Sequence, residues 1–235
     1  MGQKKENSPK EAKATKEEHK LTEAELRRAE NFKVKEAALR EQGYKRKDLT
    51  ISIATANFVG ILLTLPFVVA IAVGYYFYNG GFGIQELMDE NIVLYFIYLA
   101  IIMISFVPLA VVHEWIHGTC WSGGAENGRK DIEYGFIKEM LTPYCYCRSP
   151  LSKGMYLFGS MMPMTILGVV LGVASIFVGF FPLLMVAVIQ TIGGAGDILI
   201  SAMLLRRKTK GRDVVLLDHP TKIGLVAFEK EKEAD

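Results

Sequence analysis

Apolar and polar positions in this chain fall into blocks. A polar opening of about fifty residues is followed by four apolar stretches, at residues 51–78, 92–120, 155–178 and 182–205. At about 1.5 Å of rise per residue, a helix over each is long enough to cross ~30 Å of hydrocarbon. Residues 50–85 carry no charged side chain at all. The pattern predicts an all-α integral membrane protein with about four transmembrane helices. Three parts follow: a polar arm (1–50), a membrane domain (51–205) and a C-terminal tail (206–235). Within the arm, residues 1–20 are low-complexity Lys, Glu and Ala, a composition that predicts disorder. Thr22 and Glu25 then form a capping box. It predicts a helix running to about Arg40 and stopped at Gly43, with only a thin apolar stripe of Leu26, Ala29, Phe32 and Leu39. That helix reads as a cytoplasmic surface element.

Charge orients the helices. Residues 79–91, between the first two segments, carry Glu86, Asp89 and Glu90 and no Lys or Arg. Residues 121–154 carry Arg129, Lys130, Lys138, Arg148 and Lys153, and the exit from the fourth segment carries Arg206, Arg207, Lys208, Lys210 and Arg212. With four crossings, all the basic clusters share one side. The excess of Lys and Arg on cytoplasmic loops then predicts both termini and the 121–154 loop inside, in a cell membrane. Tyr75, Tyr76 and Tyr78 close the first segment and Tyr95 and Tyr98 open the second, as an interfacial aromatic belt would. In the long loop, residues 133–146 are rich in aromatic and other apolar side chains around Pro143, which predicts a small hairpin on the membrane face.

Composition changes little. The 235 residues have net charge +2 and mean hydropathy +0.24, averages that hide the segregation. The arm's 14 Lys and Arg are diluted by 10 Asp and Glu across residues 1–49, which argues against nucleic-acid binding. Three cysteines do not make a disulfide framework. The opening MGQKKENSPKEAK has no apolar leader core, and Glu6 stands where a myristoylation signal wants Ser or Thr, so neither secretion nor acylation is expected.

Candidate chemistry closes the second segment, in HEWIHG. His113 and His117 lie four residues apart and so share a helix face. Two imidazoles so placed can bind one Zn²⁺, with Glu114 beside them as general base. Ionisable groups at membrane depth cost about 2.5–3.5 kcal/mol each when charged and are functional by default. A zinc site needs a third protein ligand. The metzincin extension fails, because Cys120 and Gly123 occupy its positions. Glu133 and Glu139 are candidates from the loop. Asp197 is preferred: it is the only charged residue of the fourth segment and follows Gly193, Gly194 and Gly196, which permit close approach or unwinding. Depth agrees, with the motif about seven residues (~10 Å) and Asp197 nine residues (~13 Å) from the same face. Pro163 predicts a kink near the site. Gly168 and Gly172 mark a close helix contact. Cys120, Cys145 and Cys147 read as packing or reduced thiols, His219 as a tail residue folded on the cytoplasmic face, and His19 as solvated.

This constellation resembles the membrane zincin peptidases, small proteins first grouped as a domain of unknown function and similar in plan to the site-2 proteases. The resemblance covers about residues 91–225 and takes in the PYCYC and DHPTKIG stretches. It implies an intramembrane zinc metalloendopeptidase with His113, His117 and Asp197 as ligands and Glu114 as base. One departure stands out. Site-2 proteases carry Asp-Gly in an Asn/Pro-containing stretch at the third ligand, whereas here Asp197 precedes Ile198. The expected partners are a membrane-protein or peptide substrate and the bilayer. The competing reading is a catalytically silent scaffold or metal-handling membrane protein. Glu114 favours the enzyme, since metal binding alone does not require it.

Overall fold

A computed structural model describes residues 22–137 and 142–232. The disorder expected over residues 1–20 lies outside them. Helix α1 (Glu23–Glu41) begins at the Thr22 capping box and ends at Gln42, with Gly43 at φ 86° turning the chain into strand β1 (Lys45–Thr50). Helix α2 (Ile53–Asn79) starts at a Ser52 cap and stops at Gly80 in the left-handed conformation. A short helix α3 (Ile84–Glu90) leads to α4 (Ile92–Ser122). Strands β2 (Ile132–Ile137) and β3 (Thr142–Cys147) form the expected hairpin, with Tyr134 opposite Cys145. Strand β4 (Leu151–Ser152) runs into α5 (Lys153–Pro163). Beyond Pro163 the helix widens into a π-helical stretch (Met164–Val170) and resumes as α6 (Leu171–Val178). Then come α7 (Phe181–Gly193), α8 (Ala195–Arg206) and strands β5 (Arg212–Asp218) and β6 (Gly224–Glu231).

Three helical spans are long and apolar enough to cross a membrane: α2, α4 and the continuous 153–178 unit. The α7–α8 pair makes a fourth if it is one span broken by a 49° bend. Many of their side chains face outward without protein cover, such as Phe58 at 78% and Ile104 at 74% exposure. An apolar surface of this extent suits lipid rather than water. Small residues set the approach of the helices. A side chain on Gly60 of α2 would strike the Ala195 carbonyl of α8, one on Gly168 would meet Thr191 of α7, and one on Gly172 would meet Ile71 of α2. The Gly168/Gly172 pair thus serves two different neighbours. Aromatic rings gather at one end of the bundle, where Tyr75 stacks on Phe82 and Tyr98 meets Phe180 edge-on.

The all-α expectation is corrected, because two antiparallel sheets are present. Besides the β2–β3 hairpin there is a four-stranded sheet in the order β1-β6-β5-β4. It joins the end of the arm, the chain entering α5 and both strands of the tail. Its apolar runs are only four residues long, Val214–Leu217 and 225–228, too short to be told from helix or loop before they pair. Period-two alternation sorts them between two layers. Leu216, Leu225 and Ala227 pack with Trp121, Tyr156 and Leu204 at the helix ends, while Leu217, Val226 and Phe228 pack under Phe32 and Leu39 of α1. The thin stripe of α1 therefore covers a sheet.

Phe228 is fully buried. Phe228→Ala is expected to cost about 3–5 kcal/mol of stability. Phe58→Ala, on the outward face of α2, is expected to stay within about 0.5 kcal/mol. Unfolding midpoints of the two variants in the same detergent check this.

Candidate metal centre

Helix α4 presents His113 and His117 one turn apart, with ring centroids 4.9 Å from each other. Opposite them, the break at Gly194 lets α8 start afresh, so that Asp197 falls in its first turn. The Asp197 Oδ2 lies 3.1 Å from His113 Nε2 and 3.4 Å from His117 Nε2. One ligand atom from each of these residues falls within 4.8 Å of the others, a grouping that could hold a metal ion. Both imidazoles are buried. A side chain on Gly193 or Gly196 would meet nothing, so neither sets the helix approach, and the close approach at that point comes from Gly60.

The arrangement fits zinc on its donor chemistry. His117 Nδ1 donates to the Gly159 carbonyl at 2.8 Å, which fixes the tautomer and turns the Nε2 lone pair of the neutral ring toward Asp197. Lone pairs of the His117 nitrogen and the Asp197 carboxylate then face each other and repel unless a cation or proton stands between them. Tetrahedral ligands at about 2.0–2.1 Å from zinc sit ~3.3 Å apart, close to the two separations found here.

Packing around the group explains its neighbours. A side chain on Gly159 would enter the Trp121 indole, and one on Gly118 would meet Tyr134 and Ile132 of the hairpin. Both glycines let backbone come close to the histidines. His117 stacks on Trp121 (4.9 Å, 15°), and Trp121 Nε1 donates to the Tyr156 carbonyl. The Tyr156 hydroxyl donates to Asp218 Oδ1 at 2.7 Å, and the Cys147 N–H donates to Oδ2 at 2.8 Å. Burial raises the Asp218 carboxyl above its ordinary range. A continuous series of contacts thus runs from the histidines to the end of β5.

Glu114 lies beside the Cys145 backbone N–H and is shared by two cavities. One, of about 320 Å³, opens past Tyr144, Tyr146 and the β5–β6 loop (residues 219–223) and is also lined by His117 and Asp197. The other, of about 150 Å³, is bounded by Phe106, Ala110, His113, Pro143 and Ile189.

Glu133 is not part of the group. It pairs with Arg148 at 2.6 Å and with Arg27 at 3.5 Å. Glu139 lies outside the described residues. Cys120 stays half-buried, and Cys147 is sealed in the core beneath the sheet. No cysteine joins a metal-ligating group among the described residues. Sequence reasoning missed Tyr156 and Asp218. The polar DHPTKIG stretch between two short apolar runs was the signal of a hairpin that returns Asp218 to the site.

Residues 106–211 match the sequence model of the family described as "Putative zincin peptidase". That stretch, a little under half of the chain, is similar to this family. It contains the whole metal group, Glu114 and the hairpin, but not α1, α2 or most of the four-stranded sheet. The zincin relationship supports a metallopeptidase. No curated protein and no solved structure matches the chain.

Burial pushes the Cys147 thiol up to about 12 and the Cys145 thiol higher still. Since the thiolate is the reactive form, neither should alkylate in the folded protein at pH 8, and both should do so after unfolding in SDS. Mass spectrometry after iodoacetamide treatment checks this.

Proposed function

We propose that this chain is a zinc-dependent metalloendopeptidase that cuts peptide bonds in membrane or juxtamembrane segments. The observation that carries the reading is the convergence of His113, His117 and Asp197 beside Glu114, at the end of an apolar span. His113, His117 and Asp197 would hold the ion. When bound there, zinc supplies Lewis-acid polarisation of a peptide carbonyl.

The remaining chemistry belongs to the chain. Glu114 accepts a proton from the attacking water and returns it to the leaving amine. Its position between two cavities separates the supplies. Water enters through the wider, polar cleft on the sheet side, and the substrate backbone approaches through the apolar one between α4, α7 and the hairpin and extends past Glu114 into the cleft. The substrate must be extended there, because a helix hides its carbonyls in hydrogen bonds. Pairing along the β2–β3 hairpin, next to Glu114, is the route. Gly159 and Trp121 keep His117 in its tautomer and orientation. By the charge distribution, the sheet, both ends of the chain and the polar cleft lie on the cytoplasmic side of the membrane.

Protein purified in detergent without chelator should carry about one zinc per chain. His113→Ala or Asp197→Ala should lower the affinity by at least roughly tenfold, as loss of one of three ligands implies. Glu114→Gln should keep the metal and lose roughly 10²–10⁴-fold in turnover. Metal analysis, together with the accumulation of uncleaved membrane proteins in cells carrying Glu114→Gln, tests the reading. Metal-free protein, or Asp197→Ala with unchanged zinc, would overturn the assignment. Full metal occupancy with no cleavage would leave the silent, metal-handling protein.

A further inference from the structure

The polar cleft has a basic wall that neither the metal group nor the base uses. Arg28 of α1 lines it together with Glu114, His117 and Asp197. Its guanidinium lies over the rings of Tyr144, at 4.7 Å, and Tyr146, at 5.4 Å. Its Nε is buried with no hydrogen-bond partner. Three other cations of α1 behave differently: Arg27 holds Glu133, Lys35 holds Glu126 and Arg40 holds Glu36. Arg28 enters no ion pair among the described residues.

Apart from Glu114, the acids of the same cleft are already engaged. Both oxygens of Asp218 take donors, from Tyr156 and Cys147. Glu25 accepts from the N–H and hydroxyl of Thr22 in the capping box. Asp197 faces the two histidines. Across the cleft, the exposed Lys222 on the β5–β6 loop adds a second positive charge, also without an ion pair among the described residues. Stacking on tyrosine steadies a guanidinium without satisfying its N–H groups. Those groups form a flat fork that matches a carboxylate.

We propose that Arg28, assisted by Lys222, receives a carboxylate of the substrate, so that the cleft selects peptides with an acidic group close to the scissile bond. The inference rests on the peptidase reading, because the basic wall and Glu114 line one cavity. The carboxylate is either an Asp or Glu side chain or the free C-terminus of the peptide. Arg28 thus sets specificity and takes no part in bond cleavage.

The test uses the full chain in detergent with Glu114→Gln to prevent turnover. Fluorescence anisotropy reads the binding of fluorescein-labelled alanine octapeptides. One has a free C-terminus, one is amidated, and amidated versions carry a single internal Glu or Gln. At least one carboxylate-bearing peptide should bind tenfold or more tightly than its neutral counterpart. Arg28→Gln should shrink that preference to within twofold, and Arg28→Lys should restore part of it. A preference limited to the free C-terminus assigns the terminal carboxylate, and one shared by the internal Glu peptide assigns the side chain. Equal affinities of the charged and neutral peptides, including no binding by any, overturn the proposal without requiring an Arg28 variant to fold. So does a preference that survives Arg28→Gln. Cleavage by the unaltered chain without a carboxylate preference refutes this inference alone. The preference without zinc or cleavage refutes the peptidase reading and leaves a peptide-binding cleft.

Discussion

Two imidazole nitrogens and a carboxylate oxygen that face one another at 3.1 and 3.4 Å repel unless a proton or a cation lies between them. In water such a cluster would relax by turning its side chains outward. Here it is held by helices whose outer faces are apolar, and one imidazole is pinned from behind by the Gly159 carbonyl. A divalent cation turns the same repulsion into attraction. The rest of the structure around the site follows from keeping these three groups together: the glycines that bring α5 and the hairpin against α4, the bend that aims Asp197, and the stacking of Trp121 on His117.

Rigidity for that arrangement comes from outside the apolar spans. The four-stranded sheet ties together chain ends far apart in sequence, with β1 from the arm and β6 from the tail paired from Lys45–Glu229 to Thr50–Gly224. One face of the sheet closes over the helix ends and the other lies under α1. An ion cluster reinforces it where Arg207 and the half-exposed Arg212 and Lys47 share the buried Glu229 carboxylate. These cations hold the Glu229 carboxyl below its usual range, against the effect of burial. The sheet also fixes the loop that forms one lip of the polar cleft, while α1 supplies the opposite wall. The arm and tail thus shape access to the site although, among the described residues, neither carries a metal-ligating candidate.

The placement of Glu114 gives the geometry its functional sense. In the proposed reaction a general base would have to reach water while a membrane segment reached the same point from lipid. A residue shared by a polar cleft and an apolar cavity meets both needs. Proteolysis within the membrane is the reading this supports best, and the zincin relationship of residues 106–211 agrees with metallopeptidase chemistry.

Much of this was legible in the residue order. Long charge-free stretches mark helices for lipid, because backbone polar groups in hydrocarbon must be paired within the segment. The i, i+4 spacing of His113 and His117 puts them on one face whatever surrounds them. Asp197 could be singled out because a lone acid in an apolar run needs a partner. The sheet was another matter. The apolar parts of β5 and β6 are four-residue runs inside charged sequence, β1 is itself mostly charged, and only pairing across nearly two hundred residues reveals them. The same holds for Arg28 and Asp218, which read as ordinary polar residues of an arm and a tail. Local pattern determines which segments become helices and which side chains share a face. Only the tertiary structure decides which distant charges meet, because that depends on strand pairing and helix contact, neither of which leaves a periodic trace.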